Sequence, residues 1–155
     1  MGQPVRYNGS KVESNEDVLT LWQNEGRLVH YCPEISVGFP IPRPPAEIIG
    51  GDARLAIIGE TKVLENNGND VTQMFVEGAQ NTLMIAQKNN VQVAVLTDGS
   101  PSCGSTFTYD GSFSGGTVDG KGVTAELLSQ NQIKIFAEHQ MLEADEYIRN
   151  MEKGD

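Results

Sequence analysis

The sequence is poor in cysteine, short of basic residues and without a long apolar run. Two cysteines, Cys32 and Cys103, stand in its 155 residues. That is too few for a disulfide framework, and no Cys-x-x-Cys pair marks a redox couple. Apolar runs fall well short of the eighteen or so residues that a membrane span needs, and the amino terminus carries no apolar signal stretch. A cytoplasmic location with no membrane partner is therefore expected. Lys and Arg number 11 against 21 Asp and Glu, leaving a net charge of -10. The surface as a whole repels polyanions, so nucleic acid is disfavoured, although a patch near Arg6, Lys11, Arg27 and Arg43 could still meet a phosphate. The glycines between 104 and 122 are not followed by Lys-Ser or Lys-Thr, which excludes a phosphate loop of the usual spacing. With no internal repeat and no second composition, residues 1–155 read as one domain, long enough to bury a core.

What is present centres on Val91-Gln92-Val93-Ala94-Val95-Leu96, a largely apolar run of the kind carried by a strand buried inside a sheet. It leads into Asp98-Gly99-Ser100-Pro101-Ser102-Cys103-Gly104-Ser105. A cysteine held among Gly, Pro and Ser at the carboxyl end of such a strand sits where open α/β sheets place their ligands. The other cysteine repeats the arrangement, because Arg27-Leu28-Val29-His30-Tyr31 reads as a strand ending at Cys32-Pro33-Glu34. Helices are expected over about 14–25, 71–88, 123–129 and 141–151, the second capped by Asp70 with Gln73 completing a capping box. The acidic residues of the last, including Glu143, Asp145 and Glu146, read as a solvated face. Residues 54–58 and 62–65 read as a hairpin, the Pro-rich stretch up to Pro45 as a rigid wall, residues 133–136 as a final strand, and the Gly-rich 104–122 as a lid or a strained hairpin. The helix-then-strand order predicts a mostly parallel sheet with crossover helices.

Strand ends of one polarity emerge on one edge of a parallel sheet, so Cys32 and Cys103 can converge. Two converging thiols admit three readings: a redox pair, a nucleophile with a neighbour, or part of a metal site. The first lacks its motif. The second lacks an obvious partner, since neither His30 nor His139 stands at a telling spacing. The third needs at least one more ligand.

Seven motifs in order extend this picture: Arg6-Tyr7-Asn8-Gly9, Cys32-Pro33-Glu34, Pro42-Arg43-Pro44-Pro45-Ala46-Glu47-Ile48, Gly68-Asn69-Asp70-Val71-Thr72, Ser100-Pro101-Ser102-Cys103-Gly104, Tyr109-Asp110-Gly111 and Gly122-Val123-Thr124-Ala125. Over nearly its whole length the chain resembles the thiouracil desulfurases and the formerly uncharacterised domain family to which they belong. The resemblance implies a single three-layer, Rossmann-like α/β domain holding a 4Fe-4S cluster by three cysteines, with the fourth iron open to the substrate. Cys32 and Cys103 stand at two of the ligand positions. Glu34 matches the position expected to act as general base or proton shuttle, and Ser100 a serine expected to position the substrate or carry a proton. Ser102 competes for the second role but, beside a ligand, is expected to donate to cluster sulfur. Tyr7 and Arg43 are further candidates for substrate contact, Arg43 alternatively pairing with Glu47. The implied activity is non-redox, hydrolytic removal of sulfur from a thiolated pyrimidine of the 2-thiouracil or thiouridine type. The thiocarbonyl sulfur binds the open iron, water attacks the carbon, and sulfide is left on the cluster. The expected partner is a small molecule, with thiolated tRNA disfavoured by charge, and the expected state is a monomer or homodimer.

The chain departs from the family pattern at two places. Thr97 and Asp98 stand where Lys is frequent, which changes the charge offered to a substrate. The family's first cysteine belongs to a Cys-Leu-Leu-Gly turn directly before the Arg-Tyr-Asp/Asn-Gly motif. Met1-Gly2 aligns with the last two positions of that turn, which places the cysteine two residues upstream of Met1. As written, the chain is expected to lack one ligand and the first strand of the sheet, and so to be inactive by itself. Two other readings stand beside this one: a non-catalytic α/β binding module that has lost its cluster, and a metal-free enzyme with Cys103 as nucleophile.

Overall fold

The structure is a computed structural model and describes residues 15–24, 28–39 and 44–153. Its elements run α1 (Asn15–Asn24), α2 (Pro33–Ser36), β1 (Ala46–Ile48), α3 (Ala53–Ile57), β2 (Val63–Glu65), α4 (Thr72–Lys88), β3 (Val93–Leu96), β4 (Phe107–Tyr109), β5 (Thr117–Asp119), α5 (Val123–Gln130), β6 (Lys134–Ala137) and α6 (Met141–Lys153).

The centre is the apolar run itself. All four residues of β3 are buried, and β3 pairs in parallel with β6 from Val93 opposite Lys134 to Leu96 opposite Ala137. Successive side chains of a strand face opposite ways, and both faces here are covered. Val93 and Val95 pack with Val18 and Trp22 of α1 and with Ala144 and Ile148 of α6. Ala94 and Leu96 pack with Ala86 of α4 and with Ala125 and Leu128 of α5. The outcome is the expected α/β domain, a parallel pair between two helical layers. A further apolar cluster lies under β1 and β2, where Phe39 and Phe75 meet at a centroid distance of 5.2 Å.

Several local expectations change. Residues 28–32 form no hydrogen-bonded strand, although Leu28 joins one of the two core clusters flanking β3 and Val29 the other, as an extended segment would. His30, read as a sheet residue, is exposed. The hairpin expected over 54–65 does not form. The Asp52 carboxylate accepts the Arg54 N–H at 3.0 Å and starts α3, so β2 pairs antiparallel with β1 instead, Ala46 opposite Glu65. Asp70 does accept the Thr72 N–H at 3.0 Å, but the N-cap of α4 is Val71 with no side-chain cap, so the box with Gln73 is absent. The Gly-rich segment is a hairpin, with β4 antiparallel to β5. Asp145 is not on a solvated face: it is 4 % exposed, accepts from Trp22 Nε1 at 3.4 Å and pairs with Arg149. Among the described residues no helix is long and apolar enough to cross a membrane.

Candidate functional site

Cys103 lies beyond the carboxyl-terminal end of β3, and Cys32 lies near enough to act on it electrostatically. Cys32 ends the extended segment and is the N-cap of α2, where Pro33 at the first helical position supplies the fixed φ that starts a helix. Cys32 is exposed, and its carbonyl accepts the Ser36 N–H at 3.1 Å. Glu34, half-buried, lies in the first turn of α2. This short helix is held against α4: Asn81 Nδ2 donates to Ser36 Oγ at 3.4 Å, and a Cβ on Gly78 would stand 2.6 Å from the Pro33 carbonyl oxygen.

Cys103 follows β3 in a tightly bonded loop. Ser100 Oγ accepts the N–H groups of Ser102 at 3.1 Å and Cys103 at 3.3 Å. Its two lone pairs are thereby engaged and its O–H proton is left to be donated. Ser102 is 1 % exposed; its hydroxyl is 2.9 Å from Thr124 Oγ1 and 3.7 Å from the Cys103 sulfur. The loop also caps α5, because the carbonyls of Pro101 and Ser102 accept the N–H groups of Val123 and Thr124 at 2.7 and 2.8 Å. The Cys103 thiol is pushed up to about 11, chiefly by burial and further by the nearby charges of Glu34 and Cys32, against a hydrogen bond with the Ser102 hydroxyl. Cys32 and Glu34 are thus near enough to Cys103 to act on its thiol through their charges. An open hollow of about 570 Å³ is lined by His30, Tyr31, Cys32, Ile35 and Ser36.

Of the residues singled out from sequence, Cys32, Glu34, Ser100, Ser102 and Cys103 are thus placed, while Tyr7 and Arg43 lie outside the described residues. Two of the other shared motifs meet each other in the fold. Glu47 Oε1 accepts the Gly111 N–H at 3.0 Å and the Phe113 N–H at 3.2 Å, and a Cβ on Gly111 would stand 2.6 Å from Ile49 Cα. Asp98, expected only to change the charge offered to a substrate, is instead turned inward, with its side chain 7% exposed, and gathers much of the Cys103 loop; its role in the loop is what sequence reasoning missed. The available signal was an Asp directly before a Gly just past a strand, a frequent turn opener.

Comparison with known proteins agrees with this architecture. The sequence model of the 2-thiouracil desulfurase family matches residues 1–140. The chain is 41% identical over 140 residues to YbbK, an uncharacterized protein of Bacillus subtilis (strain 168), covering 90% of this chain and 91% of that protein. It is also similar to the solved structure of a [4Fe-4S]-dependent thiouracil desulfidase, TudS, with a TM-score of 0.73 and 40% identity, covering 92% of this chain and 87% of the other. By extended sequence match and by fold, the chain belongs to the 2-thiouracil desulfurase family.

Proposed function

We propose that the chain is an iron-sulfur desulfidase that removes sulfur from a thiolated pyrimidine. The observation that carries this reading is the extended match to the 2-thiouracil desulfurase family, with 40% identity to a [4Fe-4S]-dependent thiouracil desulfidase; the nearness of Cys32 and Glu34 to Cys103, whose thiol their charges raise, supports it. Thiolates are the ligands that iron-sulfur groups take, and two thiols fit two corners of one. Cys32 and Cys103 would supply two of its ligands, and a third is required, since among the described residues no three His, Cys, Asp or Glu side chains are grouped to hold a metal ion. When bound, such a group with an open iron supplies a Lewis acid for the thiocarbonyl sulfur.

The chain's own residues divide the remaining work. One water is consumed; its oxygen becomes the product carbonyl and the sulfur leaves as hydrogen sulfide. Glu34 takes the proton from that water. Ser100, with its lone pairs engaged by two amides, donates its O–H to a ring oxygen or nitrogen and fixes the pyrimidine. Ser102, buried against Thr124, supports the Cys103 sulfur rather than the substrate. The mostly apolar hollow beside Cys32 suits a small ring, and the net charge of -10 favours a free base or nucleoside over tRNA.

Anaerobic reconstitution of the full-length protein with iron and sulfide should give the broad visible absorption of an iron-sulfur group, and the loaded protein should convert 2-thiouracil to uracil with release of sulfide. Cys103→Ala should lose both, whereas Glu34→Gln should keep the absorption and release sulfide about a hundredfold more slowly. Full-length protein that binds no iron after reconstitution, or a Cys103→Ala variant that retains both properties, would refute the reading.

A further inference from the structure

The loop that carries Cys103 is wound around a single carboxylate. Asp98 stands two residues beyond β3, and its side chain is 7% exposed. Its Oδ1 accepts the N–H groups of Gly99 at 3.0 Å, Ser105 at 2.9 Å, Thr106 at 3.0 Å and, at a longer 3.4 Å, Phe107. Its Oδ2 accepts the Thr106 hydroxyl and lies 3.4 Å from His139 Nε2. Its own N–H donates to Glu138 Oε2 at 2.7 Å. Residues 99–107 are thereby closed into a ring on one side chain, which is tied in turn to the turn between β6 and α6. Ser100, Ser102 and Cys103 all lie inside that ring.

We propose that Asp98 is a positioning residue of the site, setting where the Cys103 sulfur and the Ser100 hydroxyl stand. The inference rests on the reading of those two as site residues, but the ring exists in the chain itself and can be tested without a cluster. The two carboxylate oxygens do separate work: Oδ1 gathers the amides, and Oδ2 holds Thr106 and faces His139. Asparagine preserves Oδ1 and offers Thr106 an N–H in place of Oδ2, to which the hydroxyl can turn a lone pair. Alanine leaves the converging amides without an acceptor. Asparagine should therefore rescue most of what alanine loses.

The test uses the metal-free full-length chain, with iodoacetamide labelling of each cysteine resolved by mass spectrometry and with amide exchange across 99–107. Asp98→Ala should raise Cys103 labelling about tenfold or more and speed exchange in the ring, since bonds to a charged acceptor are among the strongest in a loop. Cys32 labelling should stay within about twofold and Asp98→Asn within about threefold of wild type, on the same scale of bond strengths. In reconstituted protein the same order should hold for kcat/KM with 2-thiouracil. A folded Asp98→Ala with wild-type labelling and exchange would overturn the proposal, as would an asparagine variant no better than alanine. If the alanine variant does not fold, Thr106→Val removes the hydroxyl on Oδ2 alone; about a threefold rise in Cys103 labelling is expected, and none would overturn it. Failure to release sulfide would count against the proposed function and would leave the labelling and exchange results as they stand.

Discussion

Asp98 holds a charge where two effects oppose each other. Burial acts to raise its pKa, but the hydrogen bonds from Thr106, Ser105 and Gly99 outweigh it and keep the carboxyl well below the usual carboxylate range. An unfolded Asp titrates near 3.9, so below that pH the unfolded chain binds more protons at this site than the folded one. The contribution to stability is thus complete above about pH 4 and is lost as pH falls toward the folded value. Denaturation midpoints of the metal-free protein should decline between about pH 4 and pH 3 with a component that Asp98→Asn lacks. Equal slopes in the two proteins would mean that the carboxylate is not the source. The contrast with Cys103, Ser100 and Glu34 shows what residue-level reading can reach. Those three announce themselves through residue type and motif, whereas Asp98 and Glu47 act on amides up to 9 and 66 positions away. No local pattern encodes such partners.

At the scale of elements, long periodic segments were legible and short ones were not. The helices α1, α4, α5 and α6 and the strands β3 and β6 fall within a few residues of expectation. The stretch Arg54-Leu55-Ala56-Ile57-Ile58 is too short for its apolar content to separate helix from strand, and the Asp52 cap decides it. The junction of the cysteine loop with α5 was likewise hidden. Gly122, the N-cap of α5, offers no side-chain cap; backbone carbonyls of the loop take that place, and they approach so closely that a Cβ on Gly122 would stand 2.6 Å from the Ser102 oxygen and 2.7 Å from that of Pro101. Its φ of -72° suits any residue, so the glycine is needed for space alone. Gly122→Ala should therefore destabilise the metal-free protein by about 1–3 kcal/mol through overpacking against main chain that cannot turn aside. Chemical denaturation measures this directly, and a midpoint equal to wild type would show that the junction has slack.

Across the whole molecule, the two cysteine corners belong to segments far apart in sequence, and one helical layer sets their separation. α4 receives α2 at Gly78 and Asn81; α5 receives the Cys103 loop through its first amides; and the two helices meet through Phe75, Ala79 and Val123 in the cluster under β1 and β2. The sequence led to the expectation that Cys32 and Cys103 converge by way of two strand ends, but residues 28–32 form no strand. Nor could the sequence show this link, because a glycine inside a helix pattern reads only as a weak helix former. Gly78→Ala separates the two readings. By helix propensity alone it should stabilise α4 by up to about 1 kcal/mol. By packing, the new Cβ meets the Pro33 carbonyl at 2.6 Å and must push α2, with Cys32 and Glu34, off α4 and so shift their placement relative to Cys103. A displacement of even about 1 Å at a reacting centre costs on the order of a hundredfold in rate. The variant should keep its helical circular dichroism, take up iron less tightly and release sulfide from 2-thiouracil about ten- to a hundredfold more slowly. Full activity with raised stability would mean that α2 yields without moving its side chains, and that the α4–α5 layer does not govern the spacing of the two thiols.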